Sequence, residues 1–197
     1  MSATAPELQT RQMLTHEDYF RLEERDDWRY EYLAGEVFAM AGGSESHALI
    51  AANTLGALIN ALRSQPCRVY GSDMKLRIER IDKFCYPDLM VLCTRGRRTP
   101  RYVEAPTLIA EVLSKSTESY DRGLKFEHYR GIPELRYYLL LDQERPHAEL
   151  FTRGSEPDRW VLSEANGMDG GIDLPDWNLR LPLADLYRDV ALTPEIA

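Results

Sequence analysis

LIAEVLSKSTESYDRGLKFEHYR, Leu108 to Arg130, places a carboxylate where a buried strand normally has none. Leu108-Ile109-Ala110 is followed by Glu111 and then by Val112-Leu113. Apart from the acid, this is the run of a strand covered on both faces. From Ser119 to Tyr129 the pattern turns helical, and Gly131 with Pro133 stops it. Leu135 to Asp142 is again a strongly apolar strand. The segment therefore reads as strand, helix, strand, with an acid inside the first strand and lysines at 115 and 125 downstream.

Upstream, Pro87-Asp88-Leu89-Met90-Val91-Leu92-Cys93 has the same character and the same anomaly, an acid at Asp88. Met74, Leu76 and Ile78 alternate with Lys75, Arg77 and Glu79, the period of two of a half-buried strand. Leu49, Ile50, Ala52, Leu55, Leu58, Ile59 and Leu62 recur at spacings of three and four, which predicts a helix over 47–63 capped by Ser44 or Ser46. Apolar and polar residues interleave around Ala34-Gly35, as in a hairpin over 30–40. Thr15 with Asp18 forms a capping-box pattern opening a helix over 16–24. Downstream, 147–153 and 160–162 read as hairpin strands and 181–187 as a closing helical turn. The core order of helix, three strands, helix and strand is an α/β layer architecture with extra β structure at both ends. Residues 1–12 read as a flexible start and 13–190 as one domain.

Two acids in neighbouring core strands need compensation, because burying an unpaired carboxylate costs several kcal/mol. Either each acid pairs with an arginine or caps its strand, or the two share a hard divalent cation such as Mg²⁺, which commonly takes one or two carboxylates. A lysine nearby would stabilise charge on a phosphate or orient a water. Lys115 shares the face of Glu111 but lies four residues, about 13 Å, along an extended chain. Lys125 lies on a helix that should pack back on the sheet, although Asp121 one turn earlier offers it a surface ion pair. Of the two, Lys125 is the better candidate. His47, at a helix start, either touches a phosphate or metal or serves the helix end. Asp73 and Lys75 either line a cleft or face solvent.

The formal net charge of −8 lacks the basic footprint of a protein that holds nucleic acid through phosphates alone. Arg95, Arg97, Arg98 and Arg101 form the one dense basic cluster. Three cysteines without CxxC spacing argue against a disulfide framework or zinc site, and predict reduced, buried thiols in the cytoplasm. The first dozen residues lack an apolar signal region, and no apolar run reaches the ~20 residues of a membrane span.

Tyr86-Pro87-Asp88-Leu89-Met90-Val91, Glu111 to Thr117, Tyr120 to Phe126 and Tyr129 together resemble the core motifs of the Uma2 (DUF820) family, restriction-endonuclease-like proteins within the PD-(D/E)XK nuclease superfamily. Tyr32 to Glu36, His47 and Gly71 to Lys75 fit the same pattern, so the resemblance runs from about Leu14 to Tyr187. It implies a restriction-endonuclease-like core, a central mixed β-sheet flanked by helices, with additional N- and C-terminal β-hairpins. It also implies a Mg²⁺ site, with Mn²⁺ as a substitute, held by Asp88, Glu111 and the backbone carbonyl of Val112. Leu113 stands where the superfamily places its lysine, and the family's helix lysine falls on Lys125. Lys115 stands where the family often has proline. Glu36 matches the additional acid that many such nucleases bring from a preceding element. The implied activity is Mg²⁺-dependent endonucleolytic hydrolysis of DNA, catalysed through Asp88, Glu111, Lys125 and Glu36. The alternative is a nuclease fold kept as a binding or scaffold module. A homodimer would follow from double-strand cleavage, which takes two active sites.

Overall fold

The structure, a computed structural model, describes residues 13–26, 28–40, 42–93, 96–156 and 158–192; the expected flexible start at 1–12 lies outside the described residues. Helix α1 (His16–Arg25) opens on the capping box read from the sequence, with the Thr15 hydroxyl accepting from the Asp18 N–H at 3.2 Å. Strands β1 (Tyr30–Leu33) and β2 (Glu36–Ala39) form a hairpin. Its two-residue turn has φ 46° at Ala34 and 97° at Gly35, the positive pair that matches strand twist. Helix α2 (Glu45–Ala61) is capped by Ser44, whose hydroxyl accepts from the His47 N–H at 3.1 Å.

Strands β3 (Arg68–Gly71), β4 (Lys75–Ile78), β5 (Lys83–Cys85), β6 (Leu89–Leu92), β7 (Tyr102–Val103) and β8 (Leu108–Leu113) follow. Then α3 (Glu118–Tyr120), a wide π turn (Asp121–Lys125) and α4 (Phe126–Arg130) run on as one right-handed helical segment. The chain closes with β9 (Tyr137–Asp142), β10 (His147–Arg153), β11 (Trp160–Asn166), β12 (Gly171–Leu174), β13 (Leu179–Pro182) and α5 (Leu183–Leu186).

A six-stranded mixed sheet, β11-β10-β9-β8-β6-β3, forms the centre. Only β8 and β9 pair in parallel within it, and the α3–α4 segment supplies the crossover that a parallel pair requires. A second sheet, β2-β1-β5-β4-β7, packs on one face of the first, and the β12-β13 hairpin is separate. Alternation along the strands sorts the side chains. Leu89, Val91, Leu108, Ala110 and Val112 pack with Ile50 and Leu58 of α2 and Leu183 and Leu186 of α5. Met90, Leu92, Ile109 and Leu113 face the other way, onto Leu76, Cys85 and Val103 of the second sheet and Tyr129 of α4. Tyr19 of α1 closes over Tyr30, Tyr32 and Phe84 on the outer side. The expected architecture of central mixed sheet, flanking helices and terminal hairpins is present.

Several features were not visible in the sequence. Strands β3, β5 and β7 are short, and β5 carries a buried lysine that breaks its pattern. The β12-β13 hairpin has no counterpart in the sequence reading, whose closing helical turn at 181–187 overlaps only the end of β13 and contains α5. The expectation of three reduced cysteines is corrected: Cys67 and Cys93 form a disulfide and only Cys85 is free. The antiparallel register Arg68↔Leu92 places the residues just before β3 and just after β6 face to face. Among the described residues no helix is long and apolar enough to cross a membrane.

Candidate metal centre

Register brings the two anomalous acids together. Strands β6 and β8 are antiparallel with Leu89 opposite Ala110, so one step further puts Asp88 opposite Glu111 on the face shared with α4. The Asp88 N–H points at Glu111 Oε2 across a long 3.4 Å. Asp88 Oδ2 accepts from the Val112 N–H at 2.8 Å and lies 3.1 Å from His47 Nε2. Within a strand a residue's N–H and C=O point to the same side, so the Val112 carbonyl is directed toward Asp88 as well. The hydrogen bond with Asp88 raises the His47 imidazole above its ordinary value against the opposing pull of burial, favouring the imidazolium. A Cβ on Gly43 would stand 2.8 Å from His47 Nδ1, so the loop before α2 needs glycine there.

Glu111 is buried, and its Oε1 is fully engaged: Tyr129 donates from its hydroxyl at 2.8 Å and Lys125 Nζ lies at 2.9 Å. The same ammonium lies 3.1 Å from Asp121 Oδ1. Burial pushes the Glu111 carboxyl up to about 8; Lys125 opposes this, while Asp88 and Asp121 add to it. Lys125 itself sits well above the ordinary lysine value, because Glu111 and Asp121 outweigh the cost of its burial. Asp121 and Lys125 flank the π turn, a wide turn of a kind that recurs at functional sites, and the Tyr138 hydroxyl donates to the Asp121 carbonyl at 3.0 Å.

The second sheet supplies a further ionic set. Lys83, almost completely buried, lies 3.1 Å from Glu31 Oε2 and donates to the Tyr120 hydroxyl at 2.8 Å. Glu31, Tyr120, Asp88, Glu111, Asp121 and Lys125 all line one cavity of about 870 Å³.

Of the residues singled out in the sequence, Asp88, Glu111, Val112, Lys125 and His47 come together here. Glu36 does not: it is exposed at the end of β2 and lies outside the cavity. The acid that the hairpin brings to the cavity is Glu31, on the neighbouring strand. Lys115 is exposed and pairs with Glu144 at 2.8 Å. Asp73 lines the cavity in an ion pair with Arg29, while Lys75 is buried beneath α1 against Glu23. Of the basic cluster, Arg95 lies outside the described residues, and Arg101 pairs with Glu24 at 3.0 Å, away from the cavity.

Sequence reasoning missed Asp121, Glu31 and Lys83. For Asp121 the signal was its spacing of four from Lys125, read as a surface pair. For Glu31 it was an acid between two strand tyrosines whose rings pack on the opposite face.

These residues fit a hard divalent cation. Asp88 Oδ1 has no partner among the described residues, and Glu111 Oε2 has only the long contact with the Asp88 amide. Two carboxylates, Glu111 and Asp121, share the ammonium of Lys125, and Asp88 adds a third acid beside Glu111. An acid surplus beside open oxygens is the donor set such an ion takes. His147, Glu149 and Glu164 also lie within 4.8 Å of one another, but Arg122 already occupies Glu149 with a 2.6 Å bond.

Comparisons with known proteins bear on the family and the fold. The uncharacterized protein slr1290 of Synechocystis sp. is 33% identical over 179 residues, covering 90% of this chain and 93% of that protein. A second Synechocystis protein, sll1609, also uncharacterized, is 33% identical over 83% of this chain and 94% of its own. The crystal structure of "a putative nuclease belonging to DUF820" from Anabaena variabilis superposes with a TM-score of 0.64. The match covers 80% of this chain and 89% of that one at 16% identity, so it speaks for the fold. Residues 16–184, which hold every acid and lysine of the cavity, match the family Uma2, "Putative restriction endonuclease", and the chain is a member of that family.

Proposed function

We propose that this protein is a Mg²⁺-dependent endonuclease that hydrolyses phosphodiester bonds of DNA, with Mn²⁺ able to replace Mg²⁺. The observation that carries this reading is the pair of open oxygens, Asp88 Oδ1 and Glu111 Oε2, on adjacent strands at the wall of one cavity. A divalent cation bound there would polarise the scissile phosphate and lower the pKa of a bound water. Asp88 would hold it with its open oxygen, oriented by His47 and the Val112 amide. Glu111 would do so with Oε2, because Tyr129 and Lys125 tie Oε1 in place. Val112 would add its backbone carbonyl. Lys125, kept protonated by its two carboxylates, offers positive charge to the phosphate. The leaving 3′ oxygen would take its proton from solvent.

The test is hydrolysis of a labelled DNA with Mg²⁺ or Mn²⁺. It should vanish with EDTA and in Asp88→Ala, and activity persisting in a clean Asp88→Ala preparation would overturn the reading. One observation favours a second reading, a nuclease fold serving only as a binding or scaffold module: Lys125 is already shared by Glu111 and Asp121. Calorimetry separates the two, since a scaffold would show no Mg²⁺ or Mn²⁺ binding at millimolar concentration. A homodimer belongs to the first reading only where both strands of a duplex are cut, and light scattering decides it.

A further inference from the structure

Two large aromatic side chains stand exposed on the walls of the cavity that holds the acids. Phe38 is 50% exposed and Tyr120 37% exposed. They are linked. Phe38 sits opposite Glu31 in the β1-β2 register, Glu31 pairs with Lys83, and Lys83 donates to the Tyr120 hydroxyl and lies 5.5 Å from the centre of its ring. The Tyr120 ring is thus held by a buried ammonium and still presents area to the cavity. Small apolar side chains of α2, Ala48, Ala51 and Ala52, also line it.

The charges around these rings do not suit a duplex. Among the described residues, the cations that line the cavity, Arg29, His47 and Lys125, are each engaged by an acid: Asp73, Asp88, and Glu111 with Asp121. The exposed Arg101 is spent on Glu24 outside it. Double-stranded DNA carries one charge per ~1.7 Å and is held largely by phosphate neutralisation. A single strand has about half that charge density and offers base faces to aromatic rings, a contact that tolerates any sequence.

From this we infer that the cleft takes unpaired polynucleotide, single-stranded or locally opened, with bases stacked on Phe38 and Tyr120 beside the acids. This inference rests on the nuclease reading above and narrows its substrate. A site built for one strand needs no second copy to complete it.

The experiment measures fluorescence anisotropy of a labelled single-stranded oligonucleotide and of its fully paired duplex, with wild-type protein in Ca²⁺. The single strand should bind at least about ten-fold tighter than the duplex. Phe38→Ala should weaken single-strand binding by about ten-fold, and Phe38→Trp should restore it. Raising salt from about 50 to 200 mM should cost only a few-fold, unlike the steep loss of a phosphate-clamped duplex. Tyr120→Ala is the second variant, and circular dichroism checks the fold of each. Duplex bound as tightly as single strand, no binding of either, or single-strand affinity unchanged in both Phe38→Ala and Tyr120→Ala would overturn the inference. Mg²⁺-dependent hydrolysis on both substrates separates the two failures. Duplex cut equally well by wild type and Phe38→Ala keeps the nuclease reading and removes this one. Strand-selective binding without Mg²⁺ or Mn²⁺ binding removes catalysis and leaves the strand preference standing.

Discussion

Glu111 is the residue on which the site's electrostatics turn. Its carboxyl, pushed up to about 8 by burial, stays protonated in the folded protein at pH values where the unfolded chain has already released the proton. The folded state therefore binds more protons between the ordinary carboxylate value and about 8, and stability falls as pH rises through that window. Urea denaturation in EDTA at pH 5.5 and 8.5 should show the metal-free protein less stable at the higher pH. Glu111→Gln should remove that contribution, and an unchanged pH slope in the variant would contradict the assignment. Metal binding requires the ionised form, so Mg²⁺ affinity should rise over the same window. Asp88 and Glu111 were legible in the sequence because ionisable groups stand out in apolar runs. The choice of Lys125 over Lys115 was legible as well, because extended backbone carries Lys115 too far. Asp121 and Glu31 were not legible, since each has an ordinary exposed reading one strand or one turn away. The hairpin acid was placed one strand off, at Glu36, because sequence alone does not say which hairpin strand turns an acid toward the cavity.

At the scale of elements, β6 is held at both ends. Asp88 at its start is bonded across to β8, and the Cys67–Cys93 bridge ties its far end to β3. The bridge spans a sequence separation of 26, for which loop-closure entropy gives roughly 3–4 kcal/mol. Cys67→Ser should lose about that much stability in non-reducing urea denaturation, and a midpoint unchanged from wild type would show that the bridge is not formed. Strand β8 could be delimited residue for residue because all six of its positions are buried, and the start of α1 could be placed because its capping box is local chemistry. Strand β5 escaped because its buried Lys83 has partners, Glu31 and Tyr120, far away in sequence. The disulfide escaped for a related reason. Cysteine spacing carries no information when pairing is set by the register of two strands. The π turn is another case, since local propensity describes a helix over those residues without its wider turn.

For the molecule as a whole, the acids and their partners come from both sheets, from α2 and from the crossover helix between β8 and β9. A cation bridging Asp88 and Glu111 binds only the folded chain, so Mg²⁺ should stabilise it. At roughly 100 times its dissociation constant the gain is about 2.7 kcal/mol, or an increase in Tm of roughly 5–10 °C at this chain length. Thermal melts with and without Mg²⁺ check this, and the increase should disappear in Asp88→Ala. The α/β layering could be read from strand and helix order, whereas the placement of the second sheet could not, because its strands are two to four residues long. That placement has a consequence for biosynthesis. Asp88 leaves the ribosome before Glu111, and Glu111 before Lys125, while Glu31 and Lys83 reach the cavity only when the second sheet docks on the first. A nascent or half-folded chain therefore holds a scattered set of acids and no assembled cavity. Whatever chemistry the cavity performs therefore waits until the last layer has closed.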